Sequence, residues 1–174
     1  ALAHIVAPQH RLATAPTLRM ANWGGTAEVR VAGGYEPAIT AGANRYGNAL
    51  AGRAIDGYAV LFQTKRPGAW LDRMAVSHLL VAANDAGAAR HFADWPQVAT
   101  LPSGLAIRRN PHPRPRAEVP RTVQVEANPS AAVRRLAEVP ADAVLLDRPL
   151  DHTPGAQAAL TVITDLPQTV ELRA

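Results

Sequence analysis

The sequence predicts an α+β fold: a mixed β-sheet with a few short helices, and one βαβ crossover in the C-terminal half. Three observations carry this expectation. Fifteen prolines in 174 residues break the chain too often for long helices. Short apolar runs recur between turn-forming clusters, as strands do. The connections are of two kinds, tight turns that suit hairpins and one helix-length segment that suits a parallel crossover.

Taken in order, His4 to Ala7 reads as a strand ended by Pro8. Ala27-Glu28-Val29-Arg30-Val31 alternates apolar and charged residues with the period of a half-buried strand, and Gly33-Gly34 closes it. Pro37 starts a helix through about Ala51, weakened by Gly42 and Gly47. A short helix fits Gly68 to Ala75, with Trp70, Leu71 and Met74 on one face. Val76 to Ala83 follows as a buried strand, and its one histidine, His78, needs a partner. Gln97 to Thr100 and Leu105 to Arg109 flank Pro102-Ser103-Gly104, the chemistry of a hairpin turn.

The second half continues with Asn110-Pro111-His112-Pro113-Arg114-Pro115-Arg116. This run is too rich in proline for a helix or central strand and reads as extended, edge-like and exposed. Thr122 to Glu126 is a strand. Asn128-Pro129 places a capping side chain before a proline at the first helical position, starting a helix through about Glu138. Ala143 to Asp147 is the next strand, so strand, helix and strand make the crossover. Ala158 to Thr164 and Thr169 to Arg173 pair as a closing hairpin.

Composition narrows the function. The chain is 48% hydrophobic and 18% charged, as folded domains are, and its length suits one ordinary domain or two very small ones. It contains no cysteine, which excludes disulfides, thiolate metal sites and thiol catalysis. No apolar stretch approaches the roughly 20 residues that cross a bilayer. The start at Ala1, without a basic n-region, predicts either a piece cut from a larger protein or a processed product. Seventeen of the 18 cations are arginine, and the net charge is +4. Between Leu101 and Arg121, five arginines face only Glu118, so this one segment holds the whole excess. A charge excess so local, with no reading helix or interleaved aromatics, argues against nucleic-acid binding.

Few residues point to chemistry. The six histidines show no metal-binding spacing, and neither a Gly-x-Ser-x-Gly elbow nor a phosphate loop occurs; no metal and no cofactor are expected. Asp147, Asp151 and His152 either converge on a metal or, with Pro149 breaking any regular geometry between them, form a solvated or structural cluster; the second reading is favoured. Gly34-Tyr35-Glu36-Pro37 presents an aromatic and an acid at a strand end, and Arg45 and Tyr46 lie on the helix that follows. Together they form either a polar surface suited to a sugar or simple packing over the helix start. The arginines of the segment from Arg108 to Arg121, which contains the proline-rich run, should project outward. They either contact a phosphate, lipid headgroup or peptide-binding domain, or protect a sheet edge from aggregation.

The order of these pieces resembles the extracytoplasmic domain of YfhO-type bacterial membrane proteins, a group placed with the GT-C glycosyltransferases. The resemblance runs through an early arginine (Arg11 or Arg19), Asn22-Trp23-Gly24-Gly25, Gly34-Tyr35-Glu36-Pro37 and Arg45-Tyr46. It continues through Leu71 to Val81 and is strongest at Gly104-Leu105-Ala106-Ile107-Arg108-Arg109-Asn110-Pro111, then Pro115-Arg116-Ala117. Asp165 to Leu172 is similar to the closing hairpin of that group. Arg109 and His78 stand where aromatics are common in it.

The resemblance implies one extracytoplasmic domain over residues 1–174, on the periplasmic side of the bacterial inner membrane and attached to its own transmembrane region. It implies a non-catalytic role, in which the domain binds or positions a glycan or lipid-linked acceptor for a parent that uses polyprenyl-phosphate sugars. Tyr35, Glu36, Arg45, Tyr46, Asn110, Arg114 and Arg116 are the candidate ligand contacts. The alternative is a stand-alone periplasmic or secreted module binding carbohydrate or peptide.

Overall fold

The structure, a computed structural model, describes residues 5–7, 10–14, 41–57, 68–140, 142–150, 160–166 and 169–173. The α+β class is observed, with a mixed four-stranded sheet and a separate pair of parallel strands. By internal contacts the chain forms two compact units, Ala1–Arg114 and Pro115–Ala174.

In the first unit, β1 (Arg11–Thr14), β2 (Val76–Ala82), β3 (Gln97–Thr100) and β4 (Leu105–Arg109) form a sheet in the order β1-β2-β4-β3. β1 runs parallel to β2, while β2–β4 and β4–β3 are antiparallel. β2 is therefore paired on both edges, and six of its seven residues are buried, which is why it reads as a nearly continuous apolar run. Val6, Leu12, Leu80 and Ile107 form a core cluster, with Leu101 and Leu105 packed against it. The β3–β4 turn closes through Gly104 N–H donating to the Leu101 carbonyl at 2.9 Å. Gly104 has φ +77°, a conformation that costs glycine little, and Pro102 presets the preceding turn position.

Among the described residues, three helices accompany this sheet: α1 (Ala41–Leu50), α2 (Ala69–Arg73) and α3 (Ala86–His91). α1 anchors the loop after it through asparagines one turn apart. Asn44 and Asn48 Nδ2 each donate to the Gly57 carbonyl at 2.6 Å, and Asn48 Nδ2 also reaches the Ile55 carbonyl at 3.2 Å. α2 buries Trp70 and Leu71 of the expected face, while Met74, its third member, is half-buried at the helix C-cap. Between α2 and β2, Ala75 takes φ 56°, a left-handed conformation that is strained for alanine. α3 is capped by Asp85, whose Oδ1 accepts from Ala88 N–H at 2.9 Å.

The second unit contains β5 (Thr122–Val125), α4 (Pro129–Arg135), β6 (Ala143–Leu146), β7 (Thr161–Leu166) and β8 (Thr169–Arg173). β5 and β6 are parallel in register from Thr122–Ala143 to Val125–Leu146, with α4 between them in sequence: the expected crossover. Asn128 caps α4, its Oδ1 accepting from Ser130 and Ala131 N–H, both at 3.0 Å. β7 and β8 pair antiparallel.

Several expectations are corrected. Ile5 and Val6 lie in a turn and bend, and the first described strand is Arg11–Thr14. Val6 is nevertheless 4% exposed, so its apolar character serves the core without strand pairing. α3 was not expected at all. The closing hairpin is tighter than its sequence suggests, with Leu166 opposite Thr169. The strand expected at Ala27–Val31, the start of the first helix at Pro37, and residues Tyr35, Glu36, Asp151 and His152 lie outside the described residues.

Candidate functional site

A cleft of about 370 Å³ opens in the first unit, lined by Gly68, Asp72, His91, Phe92, Asp94, Trp95, Asn110, Pro111 and His112. Three structural features bring these residues together. α2 supplies Asp72, with Gly68 just before it. The end of α3 and the turn beyond it supply His91 to Trp95. The chain leaving β4 supplies Asn110 to His112.

Asn110 organises the floor. It is 3% exposed, and all of its amide is committed. Nδ2 donates to Asp72 Oδ1 at 2.6 Å and to the Val76 carbonyl at 2.8 Å, while Oδ1 accepts from His112 N–H at 2.9 Å. Its own N–H donates to the Ser77 carbonyl at 2.7 Å. One side chain thus ties the end of β4 to α2 and to the start of β2, and it fixes the orientation of the Asp72 carboxylate.

Arg108 holds the opposite wall. Arg108 and Leu79 are paired across β4 and β2, so both side chains leave the sheet on the same side. Arg108 Nη1 donates to the carbonyls of Phe92 and Trp95 at 3.1 and 3.0 Å. This satisfies acceptors at the end of α3 and pins the turn that carries Asp94. Phe92 and Trp95 meet edge to face at 5.1 Å, 1% and 4% exposed, and give the cleft a rigid aromatic wall. His91, Asp94 and His112 are exposed.

The expected contacts fare differently. Asn110 lies in the cleft, although its role is to hold Asp72 and the loop. Arg45 and Tyr46 do not line it. Arg45 Nε pairs with Asp56 at 3.1 Å across the loop it faces. The Tyr46 hydroxyl donates to the Trp70 carbonyl, its ring packs edge-on to Trp70 at 5.2 Å, and burial pushes its phenol pKa up. Arg114 and Arg116 are half-buried, engaged with partners, and outside the cleft lining. Arg108, expected to project outward, is turned onto backbone carbonyls instead.

Sequence reasoning missed Asp72, His91, Asp94, Trp95 and His112. These residues come from separate segments, so no local spacing announces them. The Asn-Pro that ends β4 was the one visible signal, because it marks where the chain must leave the sheet.

A second polar group lies within the sheet. Ser77 Oγ and His78 Nδ1 are 2.8 Å apart, 3% and 8% exposed, which gives His78 its partner. His78 faces Arg109 across the strands. Burial chiefly, then the positive fields of Arg109 and His10, lowers the His78 pKa from its ordinary value. This pair lies outside the cleft lining. Among the described residues, no three histidine, aspartate or glutamate side chains converge to hold a metal ion, and no helix is long and apolar enough to cross a membrane.

No known protein family, curated protein or solved structure matches this chain.

Proposed function

We propose that this chain is a non-catalytic glycan-binding domain, attached to a membrane protein on the extracytoplasmic face of the bacterial inner membrane, where it positions a saccharide or lipid-linked acceptor. The attachment and location rest on the resemblance to YfhO-type domains. The observation that supports the binding role is the Asp72–Asn110 floor set against the Phe92–Trp95 wall.

A saccharide presents hydroxyls, which both donate and accept, around an apolar ring. Its binding needs acceptors held in fixed directions beside an apolar surface. Asp72 is an acceptor already oriented by Asn110, and Asp94 and the two imidazoles add polar groups at the rim. Because the floor is preorganised, little side-chain freedom is lost on binding.

The test is a chemical-shift titration of the protein with neutral, acidic and amino oligosaccharides. The expected result is movement of the Trp95 indole and Asn110 amide signals at about millimolar sugar, weakened by His112→Ala. If no oligosaccharide moves these signals, or all movements lie outside the cleft, the reading is wrong.

A further inference from the structure

The described lining of the cleft holds two carboxylates, Asp72 and Asp94, and neither lysine nor arginine. This runs against the chain as a whole, in which 18 cations outnumber 14 acids. Asp72 and Asp94 form no ion pair among the described residues. Asp72 has one oxygen committed to the neutral amide of Asn110, which orients the carboxylate without neutralising it. Arg108 does not line the cleft, and its Nη1 is committed to the Phe92 and Trp95 carbonyls.

We propose that the cleft selects a saccharide carrying a free ammonium group, an amino sugar without its acyl cap, over its neutral N-acylated or acidic counterparts. The inference rests on the glycan reading above and specifies the class of sugar. An ammonium offers three donors, and ion-assisted bonds to carboxylates are stronger than those of a neutral hydroxyl. The buried rings of Phe92 and Trp95 reduce water on one side of the cleft, so its carboxylates act through a less screening medium. An acyl cap removes both the charge and two of the donors. A phosphate or uronate meets two like charges.

The test compares a β-1,4-linked glucosamine tetrasaccharide with its fully N-acetylated form by calorimetry at low salt. The amine form is expected to bind at least about tenfold more tightly, and added salt should narrow the gap. Asp94→Asn, an exposed site, should shrink the preference several-fold, with an unchanged circular dichroism spectrum showing that the fold is kept. Asp147→Asn, an exposed acid in the second unit, should leave it intact.

Equal affinity for the two sugars overturns this inference and leaves the glycan reading standing. Failure of both sugars, and of every sugar in the wider titration, to bind overturns both. A preference that survives in both Asp94→Asn and Asp72→Asn, or that falls equally in Asp147→Asn, places the selectivity outside the cleft and overturns the inference.

Discussion

The two units are built from different materials. All eight aromatic residues fall before residue 96, within the first unit, and the second unit contains none. In the first unit, Leu12, Leu71, Val76, Leu79, Leu80, Phe92 and Ile107 are each no more than 1% exposed. Among the described residues of the second, the buried side chains are Val133, Val139 and Ala143. A central strand paired on both edges can bury large side chains on both faces. A two-stranded pair has less cover to offer: the middle of β5 is half-buried between exposed ends, and β6 buries only Ala143 and leaves the rest half-buried. Rigidity and a preformed cleft therefore belong with the aromatic unit, and the second relies on caps and small aliphatic contacts.

Substitutions should separate the two. Leu80→Ala removes a fully buried side chain from the core cluster and is expected to cost about 3 kcal/mol, read as an earlier loss of tryptophan fluorescence in urea. That signal reports only the first unit, because every tryptophan lies there. Asn110→Ala leaves the Val76 carbonyl and the His112 amide without their partner, a loss of about 2 kcal/mol, with the cleft signals broadened in the same sample.

Acid should act on the first unit in a graded way. The pKa values of His78 and His10 are lowered in the folded chain from an ordinary value of 6.5, so below about that pH the unfolded chain binds more protons. Stability is full above 6.5 and falls as the pH drops beneath it. A fluorescence midpoint that stays constant on acidification below that value would contradict this assignment.

In the second unit, Asn128→Ala removes the cap of α4 and should cost about 1 kcal/mol, visible by circular dichroism and silent in fluorescence. The smallest effect is expected at Arg135. It pairs with Glu126 at 3.3 Å and with Gln124 at 3.1 Å, but both members of the ion pair are partly exposed, so Arg135→Ala should change stability by about 0.5 kcal/mol or less.

How much of this was readable beforehand follows the same division between local and distant causes. β2 was legible because pairing on both edges leaves an apolar run. The β3–β4 turn and the α4 cap were legible because Pro102-Ser103-Gly104 and Asn128-Pro129 act on their own neighbours. β1 was not. Arg11-Leu12-Ala13-Thr14 has only two buried residues, and the more apolar Ile5-Val6 beside it imitates a strand. α3 escaped because Ala86-Gly87-Ala88-Ala89-Arg90-His91 has one buried residue and thus no apolar stripe. Asp85 was its only visible marker. Of the cleft, Asn110 was named through the resemblance at its Asn-Pro step, whereas Asp72 and Asp94, far apart in sequence, come to line one cleft only in the folded chain.

The parallel pairing of β1 with β2 also bears on the order of events as the chain is made. Residues 15–75 separate these strands, whereas β3 and β4 are joined by residues 101–104. Closing the longer connection costs about 2 kcal/mol more chain entropy than closing the hairpin. During synthesis β1 leaves the ribosome long before β2 exists, so Leu12 and Ala13, both 0% exposed in the finished sheet, wait uncovered for their partner. Pulse-labelled hydrogen exchange during refolding should accordingly find the hairpin amides protected ahead of those of Leu12 and Ala13. Of the four strands described in this sheet, the one made first should be seated last.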